Sequence, residues 1–398
     1  MFTSYASMDG KLFNQIKKYE PQMISFLQEM VKIPSYDTQG ANALADFVAQ
    51  KLTVLNYDSH LLGRGADYSV LYYPFTGKGK TLWLSAPLDT ARPGTESDWK
   101  SPPFSGVIED RKLFGRGSAD CKATIAFYIY GFKALHEVYP NLKGQVVVAF
   151  DGGEHNGDFS GLKSILDEGI KADASLIGYP NDKEIFIGSR GYVRIKIAVY
   201  GKSAHTGSRK HLGINAITKA IPLLQQLANH QLKYHKNPLF PFGPKLTISI
   251  VNGGSAINVV PDRCEISLDI RTVPSQKSEE VVSEIRALIE EVKSKQTDFH
   301  YEFSLLGAEE PYLSDQNANI IQIFQKNAQE TLNKKIPLSV CGPANDGNVL
   351  ASKLKIPVIC GFGCRFENLH GKDECVYLDD LIPTAYTYMK TVKDFLES

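Results

Sequence analysis

The sequence predicts an α/β protein in which a mostly parallel sheet, flanked by helices, is interrupted by a smaller α+β unit. Three observations lead there. Up to about residue 190, short apolar runs bounded by Gly and Pro alternate with segments of helical spacing. From about Gly191 the runs alternate apolar and polar, as half-exposed strands do, and after about residue 310 the buried-strand texture returns.

The elements follow in order. Gln15 to Lys32 has helical apolar spacing, and Ala41 to Leu55 is a second amphipathic helix. Tyr68 to Tyr73 and Thr81 to Ser85 read as short strands. Ala123 to Val138 is helical, and Gly144 to Phe150 reads as a fully buried strand. A helix at Leu162 to Glu168 and a strand at Ala174 to Ile177 complete the first stretch. The middle stretch reads strand (Tyr192 to Tyr200), helix (Gly213 to Ala228), two strands (Lys245 to Val251, Cys264 to Arg271), helix (Ser278 to Lys293) and strand (His300 to Ser304). This β-α-β-β-α-β order is that of a ferredoxin-like unit. Helix Ile320 to Leu332, strand Pro357 to Cys360 and helix Asp380 to Leu396 close the chain. The expected domains are 1–190 plus 310–398, with 191–309 inserted.

Composition bounds the function. At 398 residues two domains are the natural expectation. Lys+Arg and Asp+Glu both number 44, so net charge gives no reason to expect nucleic acid or a membrane surface as partner. Met1 to Lys18 has no apolar signal core, and six cysteines in so long a chain make no disulfide framework. A reducing, cytoplasmic setting is expected. Cys360, Cys364 and Cys375 flank His370, but their spacing fits structural zinc poorly and buried free thiols are the simpler reading.

Four polar clusters follow predicted strands: Ser85 to Thr90, Phe114 to Lys122, Asp151 to Gly157 and Asn368 to Glu374. An Asp after a strand is often only a helix cap. Four such clusters with spare histidines and carboxylates look like a metal-assisted hydrolytic site.

The order, spacing and flanks of these clusters resemble the co-catalytic zinc aminoacylase and carboxypeptidase family, which includes acetylornithine deacetylase and succinyl-diaminopimelate desuccinylase. Gly201-Lys202-Ser203-Ala204-His205, Gly213-Ile214-Asn215-Ala216, Gly253-Gly254, Asn258-Val259-Val260-Pro261 and Arg271 extend the resemblance over essentially the whole chain. It implies a catalytic domain with an inserted lid and dimerisation domain, and hence a homodimer.

The resemblance also implies five ligands for two metals, and here they fall on Pro87, Asp120, His155, Tyr179 and His370. The general base falls on Glu154, and Asp89 stands where the family orients its first histidine. An alternative register puts Glu154 in the ligand slot and Gly153 at the base; the spacing to Gly161 favours the first. Proline has no donor atom and a neutral phenol is a poor zinc ligand. One metal site is therefore expected to be lost, leaving Asp120, His155 and His370 for a single zinc. His205 matches the family's oxyanion-steadying histidine, which acts across a dimer. Arg271 and Asn258 match residues that grip the substrate's free carboxylate.

The expected function is hydrolysis of an amide bond in a small carboxylate-bearing substrate. Two alternatives remain at this level. One is an amide-forming, transfer or elimination enzyme on the same fold; the other is a metal-free, non-catalytic binding protein.

Overall fold

The computed structural model describes residues 9–63 and 68–398; the first eight residues of the expected signal-free N-terminus lie outside them. No helix among the described residues is long and apolar enough to cross a membrane. The chain divides into two compact units. One comprises the chain up to Gly188, Leu313–Cys341 and Asn345–Ser398; the other comprises Ser189–Tyr312 with Gly342–Ala344. The borders thus fall at 188/189 and 312/313, where the texture change had suggested 190/191 and 309/310.

The first unit is built on a six-stranded sheet in the order 59–62, 69–76, 145–151, 81–87, 174–177, 358–359. The first two junctions are antiparallel and the last three parallel. The central strand Gln145–Asp151 carries Val146, Val147, Val148, Ala149 and Phe150, all fully buried, which is why it reads as a continuous apolar run. Helix Ala123–Val138 is apolar on nearly every side and packs inside this unit, with Phe127, Tyr128 and Phe132 fully buried or nearly so. The single helix expected over Gln15–Lys32 is two, Gly10–Lys18 and Glu20–Val31, broken at Tyr19. Pro21 explains the break: it is favoured in a first helical turn and lacks the N–H a helix interior needs.

Short strands that the sequence reading did not find make a second, small sheet: Ile108–Glu109, Lys112–Phe114, Phe366–Glu367 and Cys375–Tyr377, with Cys375 opposite Phe114. It brings the loop after Glu367 beside the segment after Phe114. Helix Asp346–Leu354 was also not anticipated. Its reciprocal cap is clear in retrospect, because Asn345 Oδ1 accepts from Gly347 N at 2.9 Å and Asn348 Oδ1 accepts from Asn345 N at 2.9 Å.

The second unit is a four-stranded antiparallel sheet in the order 245–253, 263–272, 191–200, 300–309. Helices Ala216–Asn229 and Ser278–Ser294 supply Leu223, Leu227, Ile285 and Ile289 to a core with Ile195, Ile197, Ile266 and Ile270. Strand order and connection are those of the expected ferredoxin-like unit. Its edge strand, Lys245–Gly253, exposes Ile250 and Val251.

Candidate metal centre

Every site residue of the first unit sits just past a strand end or in a loop the small sheet holds, the place where parallel sheets present ligands. Strand Thr81–Pro87 ends on Pro87, with Asp89 two residues on. Strand Gln145–Asp151 leads into Glu154 and His155, and strand Ala174–Ile177 into Tyr179. The turn carrying Glu154 and His155 needs a glycine where it closes. A Cβ on Gly161 would meet Gly152 O at 2.4 Å, and Gly161 N donates to that same oxygen at 3.1 Å. Gly117, at φ +82°, plays a similar part before Asp120, where a Cβ would press on Thr90.

Asp120, His155 and His370 converge, with one ligand atom of each within 4.8 Å of the others. It is the only such group of three found among the described residues, and the six cysteines are free. The cysteine alternative around His370 therefore drops out. His370 Nε2 is 2.8 Å from Asp120 Oδ2, and His155 Nε2 is 3.6 Å from the same oxygen. Asp120 is buried and His155 largely so, whereas the His370 side chain is half exposed.

Two carboxylates lie near the other ring nitrogen of His155. Its Nδ1 lies 3.1 Å from Glu154 Oε2 and 3.7 Å from Asp89 Oδ2, though neither is aligned for a hydrogen bond. Asp89 grips the turn itself: Oδ1 accepts from Glu154 N at 3.1 Å and Oδ2 from His155 N at 2.8 Å. Asp89 thus holds the backbone of the turn that carries Glu154 and His155.

The electrostatics follow from burial and partners. Burial alone would raise the Asp120 carboxyl, but His155 and His370 hold it well below the usual carboxylate range. Burial works against a charged His155, yet Glu154, Asp120 and Asp89 raise it well above the ordinary histidine value. Glu154 is pushed up to about 7 by burial, His155 opposing and Asp89 and Asp120 adding to the rise. The Tyr179 hydroxyl donates to Glu154 Oε1 at 2.8 Å, and its own ionisation is raised well above 10 by burial, Asp346 and Glu154. Tyr179 is therefore a neutral donor.

Two acids here were given no role from sequence. Asp346, fully buried, has Oδ2 3.5 Å from the Tyr179 hydroxyl, and Asp151 is equally buried. Burial raises both carboxyls; the charges of Asp89 and Glu154 raise Asp151 further, and those of Asp151, Glu154 and Asp89 raise Asp346. A charged residue closing a five-residue apolar strand was the available signal for Asp151.

The donor set fits a divalent metal. One carboxylate and two imidazoles make a three-ligand zinc set, with the carboxylates of Glu154 and Asp89 near the other ring nitrogen of His155. The other position of a paired site does not fit, since Pro87 has no donor and Tyr179 stays protonated.

His205, Asn258 and Arg271 lie in the second unit. His205 is exposed, forms a bridge with Val259, and its Nδ1 accepts from Gly207 N at 3.0 Å. Asn258 is exposed and its carbonyl accepts from Thr206 N at 3.0 Å. Arg271 is half-buried and paired with Asp269 at 2.7 Å.

A sequence profile of the peptidase dimerisation domain matches residues 187–297. Among curated proteins, an uncharacterised metallohydrolase of Methanocaldococcus jannaschii is 28% identical, covering 90% of this chain and 95% of its own. Among solved structures, an M20 family metallo-carboxypeptidase from Sulfolobus solfataricus superposes with a TM-score of 0.82 at 18% identity, covering 95% of this chain and 100% of its own. A Bacillus subtilis protein described as a dinuclear metal binding peptidase of the M20 family superposes with a TM-score of 0.71 at 18% identity, covering 96% and 99%. The fold expected from the resemblance is thus the fold the chain has.

Proposed function

On the premise that this chain has the M20 metallopeptidase fold and carries its dimerisation domain, we propose that it hydrolyses an amide bond in a small carboxylate-bearing substrate with a single metal ion. The observation that carries this reading is the convergence of Asp120, His155 and His370 beside a buried carboxylate, Glu154. When bound there, zinc would supply Lewis-acid activation of water and carbonyl at neutral pH. Glu154 takes the proton from the attacking water and passes it to the departing amine nitrogen as the C–N bond breaks. Tyr179 holds Glu154 by its hydrogen bond, and Asp89 holds the turn on which Glu154 and His155 sit. His205 is assigned to the oxyanion, supplied by a partner subunit or by closure, and Arg271 with Asn258 to the carboxylate beside the scissile bond. The inserted unit, with its exposed edge strand, is the assigned dimer interface, and the cytoplasm the assigned setting.

The test is a panel of N-acyl amino acids and dipeptides, assayed with zinc-loaded and chelator-stripped protein and with product identification. Free amine and acid, formed only with metal and lost in Glu154→Gln, are expected. A new amide in the presence of an added amine would replace hydrolysis by transfer, and metal-independent binding without products would leave a binding protein.

A further inference from the structure

The two carboxylate oxygens of Asp120 have different partners. Oδ2 faces the histidines, 2.8 Å from His370 Nε2 and 3.6 Å from His155 Nε2. Oδ1 accepts instead from the thiol of Cys121, which is fully buried. A carboxylate can only accept, so the sulfur carries the hydrogen of this contact. The backbone around the pair is fixed. Ala119 N and Asp120 N donate to Glu374 Oε1 at 3.1 and 3.3 Å, and Lys122 N donates to Gly117 O at 3.0 Å. A carboxylate between two metal positions gives one oxygen to each. Here Pro87 has no donor on one side, and the Tyr179 hydroxyl spends its hydrogen on Glu154. The second oxygen of Asp120 is then a buried acceptor in need of another partner, and such an oxygen is costly to leave unpaired.

We propose that Cys121 is a positioning residue of the single-metal centre: its S–H holds Asp120 Oδ1, so that Oδ2 alone is offered to the metal. The thiol thereby does for this carboxylate what a second cation would do in a paired site. The inference rests on the metal-centre reading and adds a residue that none of the three ligands replaces. Sulfur is a soft donor and a thiolate would itself bind zinc. The proposal is therefore specific: with zinc bound, Cys121 stays protonated and outside the coordination sphere. Removing the thiol frees Oδ1 to join Oδ2 on the same metal.

The experiment has a spectroscopic arm and a binding arm. The first records the infrared S–H stretch of wild type minus Cys121→Ser, which isolates one thiol among six, before and after an equivalent of zinc. A band at the lowered frequency of a hydrogen-bonded thiol is expected in both states. Its disappearance on adding zinc would make Cys121 a ligand and overturn the proposal, and so would a band at the unbonded frequency. The second arm is zinc titration. Cys121→Ala should bind zinc about 10–100-fold more weakly, the usual effect of losing a partner behind a metal ligand. Cys121→Ser keeps a donor in the same place and should recover most of that loss. A side chain that only fills space predicts the opposite order, because serine buries a polar group and alanine does not. With cobalt in place of zinc, wild type and Cys121→Ser should share a visible spectrum. Cys121→Ala should give a weaker band, as the freed oxygen raises the coordination number. Equal affinities and equal spectra in all three proteins reject the role given to the thiol and leave the metal centre standing. If wild type binds neither metal, the metal centre itself falls and this role with it.

Discussion

Arg116 and Glu374 form an ion pair whose side chains are each only 1% exposed, and the pair ties together the two loops that carry Asp120 and His370. Arg116 Nη2 donates to His370 O at 2.9 Å and to Gly371 O at 3.0 Å. Glu374 Oε1 accepts from Ala119 N at 3.1 Å and Asp120 N at 3.3 Å. Each partner holds the other residue's loop, so the distance between the two proposed ligands is set by a salt bridge that touches neither imidazole nor Asp120 carboxylate.

Breaking that pair should cost both stability and metal. Arg116→Met leaves Glu374 charged and buried, for which about 3–5 kcal/mol is the usual loss. Glu374→Gln releases two backbone donors. Metal affinity should fall by about 10–100-fold in both, as when outer-shell partners of metal ligands are removed. Removing both charges together (Arg116→Met with Glu374→Leu) should recover part of the stability but none of the affinity. Urea denaturation and zinc titration read the two effects separately. Recovery of both in the double variant would show that the pair does not position the ligands.

Tyr179 should show itself in the pH profile. Its hydrogen bond favours the charged form of Glu154, so Tyr179→Phe raises a carboxyl already pushed up to about 7. A general base works only when deprotonated, so the acidic limb of kcat/KM moves to higher pH. At a pH well above that limb the variant should approach the wild-type rate. A uniform loss at every pH, with the limb unmoved, would make Tyr179 structural.

Lys122 predicts a stability slope. It is fully buried, its Nζ donates to Ile33 O at 2.8 Å, and burial pulls its ammonium down from the ordinary 10.5 to about 7, Glu374 opposing. Between pH 7 and 10 the unfolded chain keeps this proton while the folded chain releases it. Stability contributed by this group therefore rises with pH across that window, and is lost as pH falls through 7. In metal-free protein, Lys122→Met should remove a rise on the order of a few kcal/mol. Parallel curves for wild type and variant over pH 7–10 would show that the lysine stays charged when folded.

How much of this was legible in the sequence depended on whether a feature has a period. Helix Ala123–Val138 and strand Ala174–Ile177 have the bounds their apolar patterns suggest, because burial on all sides leaves uninterrupted runs. The strands Lys112–Phe114 and Phe366–Glu367 are three and two residues long, too short for any alternation, so the sheet that brings His370 to Asp120 could not be read. Asp120, His155 and His370 were nameable by motif, each from its own cluster, and the structure brings them into one group. Asp346 and the Arg116–Glu374 pair owe their importance to burial and to contacts across more than 150 positions, which no local pattern records.

Metal stoichiometry gives the sharpest prediction. Wild-type protein should bind one zinc per chain, because three donors converge on one side and Pro87 with Tyr179 supply none on the other. His370→Ala should lose that zinc, whereas Glu154→Gln should retain it and lose turnover. Pro87→His with Tyr179→Glu should raise the capacity to two. Elemental analysis after dialysis against excess zinc reads all four proteins. No zinc in wild type would remove the mechanism and leave metal-free chemistry or binding. Two zincs in wild type would move Glu154 from base to ligand, because it is the one remaining carboxylate whose oxygens face both His155 and Tyr179.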